Sequence, residues 1–306
     1  MFHEFDARAR MGLTGAVRLI LAATLGLLLT HTVQAQNIRQ DVGGSERINL
    51  AGQLSTLSQR IIASACNLDA GIAVAESNAV LKISADQFGR IRDALSNGNR
   101  GFGILGKETR AQTLQAIDSL NTAWGPLLDQ AVETELSAND PAKIAMLADQ
   151  SEPLLNTAGV LVSEIAGQYA DPVALLHADA LLIDLAGRQR TLAAQMSKDV
   201  CLIASGVNVD TAKAELSSTI QLFEDTLFAL RNGLESVGVR PPPTQQIADG
   251  LQFVVEEWTA IQPSLETSVA GEELSTETRQ GLFLSFLGME ARMNNVVVMY
   301  GKNSKL

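Results

Sequence analysis

Two arginines stand inside an otherwise apolar helical pattern. They are Arg188 and Arg190, in the stretch IDLAGRQRTLAAQMSKDVCLIASG at residues 183–206. A guanidinium is a planar fork of donors that suits a planar anion better than the point charge of lysine does. On a helix, Gly187, Arg190 and Ala194 fall close to one stripe, at spacings of three and four. Small neighbours let a second helix approach, so Arg190 is expected at a helix–helix seam. A charge held there requires an acceptor. Two sources are open: an internal carboxylate such as Asp184 or Asp199, or an external anion.

The stretch has an echo. Residues 48–71 read INLAGQLSTLSQRIIASACNLDAG and align with it without a gap. Gly52 falls on Gly187, Cys66 on Cys201 and Gly71 on Gly206, each at an offset of 135 residues. A fixed long offset is the mark of an internal duplication.

Other chemistries find little support. His177 stands alone, since His3 and His31 lie in the leader described below. No Glu-x-x-His pair is present to build a di-iron bundle site, and no C-x-x-C-H to attach haem. There is neither a Gly-rich phosphate loop nor a G-x-S-x-G elbow. The acidic pairs Glu256-Glu257 and Glu272-Glu273 read as solvated helix faces or ends. No enzyme, no cofactor and no metal site is expected. The net charge of −11 repels phosphate backbones, which argues against nucleic acid. It leaves room for a small anion in a local basic pocket.

The first 35 residues read as a cleavable signal peptide. Arg8, Arg10 and Arg18 precede an apolar run at 19–29, about half the length of a membrane span, and Val33-Gln34-Ala35 offers a peptidase site. Cleavage would leave Gln36 first, and Met11 is an alternative start. The mature chain is expected in the periplasm. In an oxidising compartment, Cys66 and Cys201 are more often paired than free.

The elements that must position these residues are helices. Hydrophobic residues make up 46% of the chain but aromatics only 4%, a balance that favours helix over sheet. Helices are expected from 45 or 49 to about 75, over 78–95, from 107 to 136 with a kink at Pro126, and over 141–169 behind an Asp140 cap. Asp171-Pro172 opens the second half. Its helices are expected to stop near Gly206, to restart at an Asp210 cap and end at Asn232-Gly233, then to cover 244–270 and 275–300. Phe88 meets Phe223 at the offset of 135, Trp124 meets Trp258 at 134, and Tyr169 meets Tyr300 at 131. The fold expected is therefore all-α: two tandem four-helix bundles, at 36–170 and 171–306, related by internal duplication.

Both copies resemble the motif of the nitrate/nitrite sensor input domain, shared with the N-terminal domain of type IV pilus methyl-accepting chemotaxis transducers (PilJ-type). The family pattern is roughly A-G-R-Q-R-M-L-S-Q-R-M. Residues 186–192, AGRQRTL, match its first part, and Leu57-Ser58-Gln59-Arg60 keeps the second. The resemblance implies that Arg190 is the arginine which, in the nitrate sensors, clamps nitrate on a dimer axis. Its counterpart in the first copy is Ser55. Arg188 and Arg60 would add positive charge, and Gly52 and Gly187 would let the helices approach. The implied function is a sensory or ligand-binding module for a small oxyanion, nitrate or nitrite first, signalling to a separate membrane sensor or chemotaxis transducer. A homodimer through the second halves would restore two copies of Arg190. The alternative is a structural or protein-interaction protein, with Arg190 paired internally. If the two first helices run parallel about a pseudo-twofold axis, Cys66 and Cys201 face that axis at one height and form a disulfide; otherwise each is a buried thiol in its own bundle.

Overall fold

The computed structural model of the chain describes residues 43–133, 139–169 and 177–304. The leader, the Asp171-Pro172 start and the expected boundary at 170/171 lie outside the described residues. The first half contains α1 (Gly44–Asp69), α2 (Val74–Asn97), α3 (Ala111–Val132), α4 (Pro141–Asp149) and α5 (Ser151–Tyr169). The second contains α6 (His177–Ala204), α7 (Val209–Asn232), α8 (Gln245–Ala270) and α9 (Thr276–Asn303). Among the described residues the fold is all-α, and no helix is long and apolar enough to cross a membrane.

Local chemistry explains most boundaries. The Asp140 carboxylate accepts from the Lys143 amide at 3.0 Å, Thr244 Oγ1 from Ile247 at 3.3 Å and Ser275 Oγ from Thr278 at 3.1 Å, each satisfying a donor that the first helical turn leaves open. Three expectations shift. α1 ends at Asp69 rather than near 75, because Gly71 (φ +71°) turns left-handed and closes the end with a bond from the Ile72 amide to the Asn67 carbonyl. Gly206 (φ +70°) does the same after α6, with Val207 on Leu202. The residue that caps α7 is Asn208, not Asp210, which sits inside the first turn. The helix expected over 141–169 is split at Gln150 into α4 and α5. Pro126 and Pro263 lie inside continuous helices, α3 and α8.

The halves repeat one another in detail. Phe88 packs on Trp124 with ring centroids 4.9 Å apart, and Phe223 on Trp258 at 4.6 Å. The loop bridge Asn99–Ile104 recurs as Leu234–Val239. Within each half four layers of helix close a bundle: α1 with α2 and α5, and α3 with both of those; then α6 with α7 and α9, and α8 with both of those.

The helices α1 and α6 lie at the centre of the fold. They pack against each other and are buried on nearly every side. Polar residues such as Thr56, Gln59, Ser64 and Gln189 are therefore enclosed in a shared core. Two contacts join residues 135 apart. Thr56 Oγ1 lies 3.0 Å from Thr191 Oγ1, and Cys66 is bonded to Cys201 across a Cα–Cα distance of 6.2 Å. Since both pairs keep the same offset, α1 and α6 run parallel and in register about a pseudo-twofold axis.

The disulfide closes a separation of 135 residues, which limits the unfolded chain strongly. Replacing both cysteines by serine is expected to lower the stability by about 2–5 kcal/mol in a denaturant titration. Two alkylatable thiols in the unreduced protein would contradict the bond.

Candidate functional site

Arg190 lies between the halves, only 2% exposed. Its Nη1 donates to Asn49 Oδ1 of α1 at 2.9 Å and to Asn294 Oδ1 of α9 at 2.6 Å. Its Nη2 reaches the Asn49 carbonyl, and Nε the Gly187 carbonyl, each at 3.4 Å. The two motif glycines make room for this fork. A Cβ added to Gly187 would lie 3.2 Å from Nη2, and one on Gly52 3.4 Å.

The carboxylates weighed as partners are engaged elsewhere. Asp184 pairs with the exposed Arg188 one turn away at 2.9 Å, and Asp199 with Lys198 at 3.0 Å. Arg190 is thus a buried cation held by carboxamides and carbonyls. Burial, reinforced by the nearby Arg60 charge and partly opposed by Glu290, pushes its pKa down to about 9. Arg60 itself binds Glu290 at 2.5 Å, with side chains 22% and 2% exposed. Burial raises the pKa of Glu290 while Arg60 and Arg190 pull it down. Together Arg60, Glu290 and Arg190 form a cluster of two cations and one anion.

Ser55, the counterpart of Arg190, is buried and lines a cleft of about 870 Å³ between α1, α5, α6 and α7. Gly52, Gly187, Arg188 and Arg190 also line it. The sequence-predicted residues therefore converge on one region, with Arg60 on the far side of Arg190 against α9. The face of α6 that carries Arg190 is covered by α1 of the same chain, so the pairing that a homodimer would have supplied is internal.

Sequence reasoning missed Asn49, Asn294 and Glu290, which do most to hold the arginines. It also missed a second polar cluster. Lys198 Nζ bonds Ser151 Oγ at 3.0 Å and Glu215 at 2.9 Å, while Ser151 in turn donates to Gln59. Two carboxylates share this ammonium, which keeps its charge. The more deeply buried acid, Asp199, is pushed up to about 7 by desolvation despite Lys198. At the end of the first half, Arg47 binds the Leu95 carbonyl and Glu108, and Tyr169 donates to the same carboxylate. Among the described residues no group of His, Cys, Asp or Glu is placed to hold a metal ion.

The family described as type IV pili methyl-accepting chemotaxis transducer N-terminal region (PilJ) matches residues 37–150 and again 174–282. The chain belongs to the PilJ family. Each match carries one copy of the duplicated motif, so this is a PilJ domain in two tandem copies. No curated protein matches the chain. The PilJ assignment makes it a sensory transducer N-terminal domain.

Two measurements check these clusters. Arg60→Ala leaves Glu290 buried without its partner and is expected to destabilise the fold by about 3 kcal/mol, with most of it recovered in the Arg60→Met/Glu290→Leu pair; an equal loss in both would assign the cost to packing. Asp199 has a folded pKa of about 7, above the roughly 3.9 of an unfolded aspartate. The native state then holds the extra proton between those values, so stability falls as pH rises from about 4 to about 7. Asp199→Asn should flatten the curve of unfolding free energy against pH in that window.

Proposed function

We propose that the chain is an exported, periplasmic sensory module that binds a small oxyanion at Arg190 and passes the signal to a separate membrane partner. Family membership supports the sensory role. One observation carries the ligand reading: Arg190 is a fully buried guanidinium that contacts no carboxylate among the described residues and borders an open cleft. A buried charge without an opposite charge in contact is costly. An anion entering beside it supplies that charge, and hydrogen bonds between charged partners are roughly twice as strong as neutral ones. Ser55 on the same lining adds a hydroxyl donor.

The pathway for a signal is the α1–α6 pair. Arg190 is held by Asn49 of one half and Asn294 of the other, so an anion that competes for the fork loosens or redirects contacts of both halves. Nitrate and nitrite are the first ligands to try, being planar or bent oxyanions that match a guanidinium edge.

Isothermal titration with nitrate and nitrite is the test. Measurable heat for the wild type, lost in Arg190→Ala, is the expected outcome. No heat for the wild type, or equal affinity after the substitution, would remove the inorganic oxyanion from the reading.

A further inference from the structure

The cleft beside Arg190 has a counterpart across the pseudo-twofold axis, and that counterpart is filled. On the filled side, Gln87 of α2 donates to Gln53 of α1 at 3.1 Å, and Gln53 to Asn294 of α9 at 3.5 Å. Below them Arg60 of α1 binds Glu290 of α9. At the offset of 135, Gln87 becomes Leu222, Gln53 becomes Arg188 and Arg60 becomes Gln195. At the offset of 131 that pairs Tyr169 with Tyr300, Glu290 becomes Gly159 and Asn294 becomes Ser163. All five replacements line the cleft. The cavity therefore lies on the side of the axis that lacks the polar bridge. Glycine stands where the other side has glutamate, serine where it has asparagine, and leucine where it has glutamine. A Cβ added at Gly159 would meet nothing within 4 Å.

What remains is suited to more than an inorganic ion. The volume of about 870 Å³ lies within the roughly 300–1,000 Å³ of sites that enclose organic ligands. An ion the size of nitrate would occupy one corner. The walls carry Leu155, Val162, Leu185 and Leu192, and the mouth is flanked by Val160 and Leu222, which are 63% and 54% exposed. The charges on the lining limit the ligand's own charge. Arg188 is taken by Asp184, and Glu164 accepts from Thr113 Oγ1 at 3.3 Å. Two acids at the lining disfavour a polyanion, leaving Arg190 to match a single negative group.

We infer that the ligand of this cleft is an organic monocarboxylate with an apolar body, its carboxylate toward Arg190 and its body along the α5–α7 walls. The inference rests on Arg190 as the anion anchor and specifies what is attached to the anion. Burial of the body against leucine and valine supplies affinity that a bare oxyanion lacks.

Calorimetric titration with three probes separates the possibilities: octanoate, which has charge and body; 1-octanol, body alone; and nitrate, charge alone. Octanoate is expected to bind with a negative heat-capacity change, and 1-octanol at least about tenfold more weakly. Gly159→Phe, which fills the cleft from α5 and replaces glycine by a better helix former, is expected to abolish octanoate binding while leaving the fold intact by circular dichroism. Arg190→Gln should reduce octanoate affinity toward that of 1-octanol. Absence of octanoate heat, or octanoate binding unchanged in Gly159→Phe, overturns the inference. Nitrate heat without octanoate heat overturns it while sparing the inorganic reading, and the absence of both overturns the two together.

Discussion

Everything in this fold depends on the close, parallel contact between α1 and α6. Each helix is enclosed by its own bundle on one side and by the other helix along the pseudo-twofold axis. The contact is made of small and short polar residues: glycines at Gly52 and Gly187, and two threonine hydroxyls that meet at 3.0 Å. Bulky side chains would separate the helices and open the common core that both bundles share. The all-round burial of α1 and α6 follows, and with it the demand that every polar group there find a partner.

Duplication within one chain removes a restriction that a homodimer cannot escape. Two identical subunits place the same residue on both sides of the axis. Here the two sides differ, so that the counterpart of Arg190 is a serine rather than a second arginine. A single buried guanidinium is already difficult to accommodate, as its pKa near 9 reflects. A second on the axis would add like-charge repulsion inside a low-dielectric core. The asymmetry also divides the labour between the two flanks. One is cemented by Arg60, Glu290, Gln53 and Asn294, while the other is left hollow.

Much of this architecture is legible in the sequence because its signals are local or periodic. Asp140-Pro141 announces a helix start through one side chain and one fixed dihedral. The offset of 135 carries whole elements with it, and its parallel register explains why Cys66 meets Cys201. The end of α1 was harder to place, since its apolar pattern continues past the glycine that stops it. An acidic side chain such as Asp210 suits both the cap and the first turn, and the backbone turns at Asn208. The site was legible only as to its arginine. Asn49, Asn294 and Glu290 are separated from their partners by 104 to 230 residues, and nothing in their neighbourhoods distinguishes them from solvated helix residues. The cleft left even less trace, for it is made of what Gly159 and Ser163 lack.

The covalent bond between Cys66 and Cys201 has a mechanical meaning. It ties two parallel helices near their C-terminal ends, about three turns beyond the Ser55 and Arg190 level. Helices joined in this way cannot slide past one another like a piston. The freedom that remains at the arginine is angular, a splay or a twist of one helix against the other about a fixed pin. Motion that begins at the arginine is thereby leveraged toward the opposite, N-terminal ends of α1 and α6, where no such pin holds them.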